Sequence, residues 1–141
     1  LVVPANLYDA VSVFAHEIGH GLAFDGWRNE FTGALPGNYE SVFDSNVIVS
    51  NGHLYFAGAN AQVVYGRPVP ITDGNYGHYG TGFSPPGAEL TTGLMSPYAY
   101  PGYRLSISEL DLAILKDSGV PVMTGRDDAA AHLATEPEAS R

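Results

Sequence analysis

Residues 6–24 read NLYDAVSVFAHEIGHGLAF, the stretch with the strongest local signal in the chain. Its large apolar residues recur at spacings of three and four, the period of one face of an α-helix. This apolar stripe consists of Leu7, Val11, Phe14, Ile18 and Leu22. Asn6 is a candidate N-cap, because its side chain can accept a hydrogen bond from the first turn, and Gly26 offers a C-terminal stop. The sequence therefore predicts an amphipathic helix from about residue 6 to residue 24.

Residues 16–20 of this helix have the pattern His-Glu-Ile-Gly-His. His16 and His20 are one helical turn apart, so both imidazoles project from the same face and can bind one zinc ion at about 2.0–2.1 Å. Glu17 lies too far round the helix to join that pair as a ligand. It is placed instead to hydrogen-bond a water on the metal and to take its proton. The apolar stripe is rotated away from the two histidines, so one face is expected to pack and the other to bind.

A third zinc ligand has to come from elsewhere in the chain. The histidine candidates are His53, His78 and His132. His53 begins a predicted hairpin strand, and His132 falls in the C-terminal tail, so neither is favoured. His78 lies in the stretch NYGHYG at 75–80, where glycines allow the backbone to approach a metal closely. His78 is therefore the preferred third ligand.

Glu40 is the alternative third ligand. It follows His20 at the spacing found in thermolysin-like zinc proteases and is itself followed by Asp44. In those proteases the glutamate lies on a second helix. Here a Pro-Gly pair at 36–37 precedes Glu40, and the segment from residue 46 favours a strand. Glu40 and Asp44 are therefore expected to be loop residues, or residues that support the site without binding the metal.

The remainder of the chain predicts a small α+β fold. Residues 46–57 contain two strand-like runs joined by an Asn-Gly pair at 51–52, the strongest short signal for a β-hairpin. A second helix is predicted at about 108–118. Its candidate capping boxes pair Ser106 with Glu109 or Ser108 with Asp111. Between the two helices, frequent glycine and proline predict turns and short strands.

Composition excludes several classes of function. The 141 residues include 15 acidic and 6 basic side chains, a net charge of −9 that argues against binding nucleic acid. No apolar run approaches the ~20 residues that a membrane span needs. The absence of cysteine excludes thiolate zinc sites and disulfides. We expect one domain over residues 1–123, followed by a charged, alanine-rich tail or linker at 124–141.

Four motifs together resemble the leishmanolysin-type metzincins and their bacterial relatives. They are HEIGHGLAF at 16–24, the distant His78, LMSP at 94–97 and ISELDLAILKDSG at 107–119. That family has an HExxH helix, a third zinc histidine far downstream, a Leu-Met-x-Pro methionine turn and a helix that ends at a Leu-Gly corner. The resemblance covers about residues 7–122. It departs at Ala23, where glycine is usual, so the first helix is expected to continue to Gly26, and at Ser118, where leucine is usual.

The resemblance implies a zinc-dependent endopeptidase that acts on protein or peptide substrates and is secreted by a bacterium. It implies zinc ligands at His16, His20 and His78, the general base at Glu17, and a methionine beneath the zinc site at Met95. Tyr98 is a candidate for stabilising the oxyanion. The class that competes with this hypothesis is a non-catalytic extracellular binding module with a structural zinc. An intact Glu17 argues against that alternative, because a structural zinc needs no positioned base.

In the family, a twisted sheet precedes the active-site helix, whereas this chain begins at the helix. The resemblance therefore implies a metzincin-like catalytic portion without its N-terminal sheet. We expect a preceding part of the same protein to pack on the first helix. We also expect the 141-residue chain by itself to be poorly stable, prone to associate, and weakly active or inactive even with zinc bound.

Overall fold

The computed structural model describes residues 2–80 and 90–123, and the predicted tail at 124–141, with His132, lies outside these ranges. The described residues form four helices and a three-stranded antiparallel sheet. The helices are α1 (Ala10–Leu22), α2 (Val42–Ser45), α3 (Ala59–Tyr65) and α4 (Glu109–Asp117), and the strands are β1 (Val47–Ser50), β2 (His53–Phe56) and β3 (Val69–Pro70). This mixture of helix and antiparallel sheet agrees with the predicted α+β class.

Helix α1 begins later than predicted, because Asp9 and not Asn6 is its N-cap. The Asp9 carboxylate accepts hydrogen bonds from the Ser12 backbone N–H at 3.0 Å and from the Arg104 guanidinium at 2.8 and 2.9 Å. Upstream, the Leu7 N–H donates to the Pro4 carbonyl at 3.0 Å and closes a turn. The choice of cap depends on an arginine 95 positions away, which the periodicity of the helix cannot reveal.

Helix α1 also ends earlier than predicted, at Leu22. Ala23 has φ −171°, an extended conformation that any residue adopts, and its N–H donates to the Gly19 carbonyl at 3.0 Å. The prediction that the helix continues to Gly26 is therefore wrong, since the chain leaves the helix at Ala23 without needing a left-handed residue. Phe24 follows directly and is buried in the core.

The packed face of α1 is made of small residues. Ser12 and Gly19 are buried, and Ala15 and Ala23 pack against the core. A Cβ built on Gly19 would lie 2.5 Å from the Met95 sulfur, so the glycine allows the helix to lie directly on that side chain. The apolar stripe, expected to be the packed face, is instead 53% to 69% exposed in the described part of the chain.

The predicted hairpin is confirmed. β1 pairs with β2 in antiparallel register from Val47 opposite Phe56 to Ser50 opposite His53. Asn51 and Gly52 at the turn both have positive φ, 50° and 80°. Positive φ at both central residues is typical of the two-residue turns that match the twist of a β-hairpin. β3 adds to β2, and α3 packs on α4. The largest apolar side chains that are fully buried in the resulting core are Phe24, Phe56, Met95, Ile114 and Val69.

Helix α4 is confirmed within a residue of its predicted ends, and its capping box is the Ser108–Asp111 pair. The Ser108 hydroxyl accepts from the Asp111 N–H at 3.1 Å, and the Asp111 carboxylate accepts from the Ser108 N–H at 2.7 Å. Asp111 is 1% exposed and also accepts the Tyr79 hydroxyl at 2.6 Å. The N-terminus of α4 is thereby joined to the loop that carries His78.

The two short helices correct the prediction of turns and strands alone between the long helices. α2 is capped by Ser41 and Asp44 in a second capping box. α3 is capped from α4, because the Asp117 carboxylate accepts the backbone N–H groups of Asn60 and Ala61 at 3.1 and 2.8 Å. Asp44 lies within α2 and not in a loop. A cap supplied from 57 positions away leaves no local sign in the sequence of α3.

Asp44 is fully buried and joins three segments of the chain. Its carboxylate accepts hydrogen bonds from the Tyr76 hydroxyl at 2.7 Å, the Ser41 N–H at 2.8 Å and the Trp27 N–H at 3.0 Å. Burial raises the pKa of Asp44, but the hydrogen bonds from Ser41, Tyr76 and Trp27 outweigh it and hold this pKa below its usual value. The stabilisation is therefore present at neutral pH and is lost as the pH falls through the lowered pKa.

We predict that Asp44→Ala lowers the free energy of unfolding by about 3 kcal/mol, because it leaves several donors without an acceptor. Chemical denaturation of the metal-free chain at pH 7 measures this change. The control is Asp25→Ala, at an exposed position, with an expected cost below about 1 kcal/mol. The difference between Asp44→Ala and the parent should shrink in acid. Equal costs for both variants would contradict the prediction.

Candidate metal centre

Three histidines meet at one point on the inner side of α1. The Nε2 atom of His16 lies 3.0 Å from that of His78 and 3.1 Å from that of His20, and the Nε2 atoms of His20 and His78 are 3.3 Å apart. Helix α1 supplies His16 and His20 from successive turns. His78 comes from the loop after β3, 62 positions beyond His16. In the described ranges, this is the one group of three or more His, Asp or Glu side chains arranged to hold a metal ion.

The spacing of the three nitrogens fits a tetrahedral ion. Ligand atoms at ~2.0–2.1 Å from a common zinc lie about 3.3–3.4 Å from one another. The observed separations of 3.0 to 3.3 Å are close to that edge length. Three protein ligands leave a fourth position for a water or substrate, which is the arrangement of catalytic zinc sites.

The other ring nitrogens of the α1 histidines are held by backbone carbonyls. Nδ1 of His16 lies 2.7 Å from the Leu94 oxygen, and Nδ1 of His20 lies 2.8 Å from the Phe24 oxygen. A carbonyl oxygen can only accept, so each Nδ1 carries a proton, and in the neutral tautomer with that proton Nε2 is the atom left to bind a metal. Such bonds fix the tautomer and the ring orientation of metal-binding histidines. The two α1 histidines are thus oriented as ligands before a metal binds.

His78 is held by its main chain and not through its ring. Its N–H donates to the Asn75 carbonyl at 3.1 Å, and its carbonyl accepts the Thr72 N–H at 3.0 Å. Its Nδ1 atom is buried without a hydrogen-bond partner in the described part of the chain. Burial, with the neighbouring His20 and His16, lowers the pKa of His78 to about 4. Its ring is consequently neutral near pH 7, the form in which imidazole binds a metal.

The methionine motif lies directly against α1. Met95 is fully buried with its sulfur on Gly19, and the carbonyl of the preceding Leu94 accepts the proton of His16. The chain turns here, with the Ser96 N–H donating to the Gly93 carbonyl at 3.1 Å. Met95 therefore packs against α1 at Gly19, on the turn between His16 and His20.

Glu17 and Tyr98 line one cleft beside the histidines. This cleft has a volume of about 160 Å³, and His16 forms part of its wall. Glu17 is exposed, and Tyr98 is 50% exposed. Sequence reasoning did not assign the other lining residues to the site, although two of them, Ser96 and Pro97, belong to the LMSP motif. These other lining residues are Ser12, Val13, Ser96, Pro97, Ala99 and Leu105.

The remaining sequence candidates lie away from the histidine group. Glu40 is exposed and forms an ion pair with Arg28, whose Nη2 lies 2.9 Å from the Glu40 Oε1. His53 lies at the start of β2, with its Nδ1 3.0 Å from the Asp73 carboxylate. Neither residue belongs to the metal-binding group that the structure brings together.

Comparisons with known proteins identify no relative of this chain. A scan against protein-family models, a search of curated proteins and a search of solved structures each find no match to this chain. Within 2–80 and 90–123, no helix has the length and apolar content needed to cross a bilayer. The geometry of the site and the motifs in the sequence are therefore the evidence for a function.

Proposed function

We propose that the protein is a zinc-dependent endopeptidase of the leishmanolysin-like metzincin type, secreted by a bacterium. The observation that carries the proposal is the triangle of three Nε2 atoms, with Glu17 on the same helix and in an adjoining cleft. Three imidazoles, two of them with Nδ1 held by a backbone carbonyl, are a donor set that zinc prefers. Structural zinc sites usually have four protein ligands, so three ligands beside an open cleft favour a catalytic site.

The roles of the residues follow from their positions. A zinc ion held by His16, His20 and His78 would supply Lewis acidity to the carbonyl of the peptide bond and acidify a bound water. Glu17 accepts the proton of the attacking water and returns it to the leaving amine, as a general base and then an acid. The half-exposed Tyr98 hydroxyl donates a hydrogen bond toward the developing oxyanion.

The cleft also suggests how a peptide binds. Its lining combines apolar residues with the polar residues Ser12 and Ser96. The apolar groups belong to Val13, Pro97, Ala99 and Leu105. A cleft of about 160 Å³ accommodates one apolar side chain of medium size, so peptides that carry such a residue beside the scissile bond are the proposed substrates.

The exposed apolar stripe on α1 supports a further part of the proposal. Four large side chains on one face of α1 are each more than half exposed, as is Leu7 just before the helix, and such exposed apolar faces mark interaction sites. We propose that a preceding part of the same protein covers this face. The isolated chain is then expected to associate through it and to show little peptidase activity.

Zinc should stabilise this chain, because the metal binds the folded state and the unfolded chain holds no assembled site. We predict a gain of about 3–4 kcal/mol at a zinc concentration of 100 to 1,000 times Kd, reversed by a chelator. Thermal melts with zinc and with chelator measure it. A His16→Asn/His20→Asn variant serves as the control and should not respond to zinc. A parent transition that zinc and chelator leave unchanged would refute the metal site.

A peptidase assay on the longest soluble form of the protein separates the two classes of function. Cleavage of casein or of a quenched fluorescent peptide, lost with chelator and restored by zinc, supports the endopeptidase. Zinc binding with no cleavage of any peptide in a broad library would favour the binding module with a structural zinc.

A further inference from the structure

Gly77 lies directly on the second histidine ligand. A Cβ built on Gly77 would lie 2.9 Å from Cε1 and 3.0 Å from Nδ1 of His20, and 2.7 Å from the Phe24 carbonyl oxygen. Real side chains essentially never make contacts below 3.0 Å, and both the carbonyl and a ring held by it are rigid. The loop therefore comes this close to α1 only because residue 77 has no side chain.

Gly77 lies against both ends of the hydrogen bond that orients the His20 ring. Nδ1 of His20 and the Phe24 oxygen are the two ends of the 2.8 Å hydrogen bond that leaves Nε2 free for the metal. Phe24 is itself fixed, with its side chain in the core and its N–H donating to the Gly19 carbonyl at 3.0 Å. A side chain at position 77 would have to displace the ring, the carbonyl or the loop that carries His78.

The backbone conformation of Gly77 does not itself require glycine. Gly74 and Gly80 in the same loop have φ of 70° and 87°, in the left-handed region that favours glycine, whereas Gly77 does not have a left-handed φ. The turn geometry of the loop thus explains its other two glycines. Close approach to His20 and Phe24 is the reason that remains for Gly77.

We propose that Gly77 is a positioning residue for the metal site, an inference that rests on the proposed zinc function. Because Gly77 has no side chain, the loop that carries His78 can lie against the His20 ring and the Phe24 carbonyl. One residue thereby sets the placement of two ligands, His20 by contact and His78 by chain connection. Residues that orient metal-binding histidines from outside the ligand set typically change affinity by 10- to 100-fold when altered.

The test compares Gly77→Ala with Gly21→Ala. Gly21 follows His20 as directly as Gly77 precedes His78, it has no left-handed φ, and a Cβ built on it meets no atom within 4 Å. Zinc affinity is measured by competition with a chromogenic chelator, and ligand geometry by the visible spectrum of the cobalt-substituted chain. We expect Gly77→Ala to weaken zinc binding about 10–100-fold and to alter the cobalt spectrum. Gly21→Ala should match the parent in both.

A double-mutant cycle with His20→Asp keeps the test decisive if Gly77→Ala also lowers general stability. Aspartate at position 20 can bind zinc but has no imidazole ring that the new Cβ at position 77 could contact. If Gly77 acts through the His20 ring, the affinity loss in the double variant is smaller than the product of the two single losses. Losses that multiply would overturn the inference.

The outcomes also distinguish the inference from the function on which it rests. A parent chain that binds zinc, with a Gly77→Ala variant that binds it as tightly and with an unchanged cobalt spectrum, overturns the inference alone. A parent chain that binds no zinc overturns the proposed function and the inference with it.

Discussion

Replacing Glu17 with glutamine should leave zinc bound and slow peptide hydrolysis by about 10²–10⁴-fold, the usual contribution of a general base. Glutamine keeps the size and polarity of the side chain but cannot accept the proton of the attacking water. Glu17 lies outside the group of three nitrogen ligands, so metal binding is not expected to change. Metal content by elemental analysis and kcat/KM on a fluorescent peptide, in the full-length protein, measure the two effects.

The matched control for this substitution is Glu40→Gln. Glu40 is also an exposed carboxylate, but it pairs with Arg28 and lies outside the cleft. Its replacement should leave both zinc content and kcat/KM close to those of the parent. Near-normal casein cleavage by Glu17→Gln would rule out the assigned role and would place the base elsewhere.

The second large effect is expected for His78→Ala, which removes one of three ligands. We expect zinc affinity to fall by more than about 100-fold, beyond the effect of altering an orienting residue. Glu40→Ala, which removes the alternative ligand, should leave zinc affinity unchanged. Both affinities are measured by chelator competition at pH 7, with metal-free stability measured in parallel.

The opposite pattern would reverse the assignment. If His78→Ala retained zinc while Glu40→Ala lost it, the thermolysin-like alternative would replace the present ligand set. The Arg28–Glu40 ion pair would then have to open for Glu40 to reach the metal.

Local patterns predicted the elements whose determinants are close in sequence. The hairpin is specified by an Asn-Gly pair that adopts positive φ, and α4 by a capping box that spans four residues. The start of α1 depends on a distant group, since Arg104 binds the carboxylate of the Asp9 cap. For the same reason the sequence of α3, whose cap is Asp117, gives no local sign of a helix.

The candidate site likewise has parts that local sequence patterns predict and parts that depend on distant contacts. The His16–His20 pair is visible from helix geometry, and glycines on both sides pointed to His78. The buried Asp44 could not be predicted in this way. It accepts hydrogen bonds from Tyr76 and Trp27, which lie in segments that share no motif with it. Helical periodicity shows that the apolar stripe forms one surface of α1. It does not show whether that surface is buried, because burial depends on which other segments pack against it.

The sequence separation of the ligands has a consequence for the folding pathway. His16 and His20 come together whenever one turn of α1 forms, whereas His78 joins them only when a loop of 62 positions has closed. Closing a long loop carries an entropic cost that must be met before its contacts form. A nascent chain can therefore capture an ion weakly with two nitrogens and retain it tightly only after the hairpin, α3 and the following loop are in place. Metal retention would then mark the chains that have completed their fold.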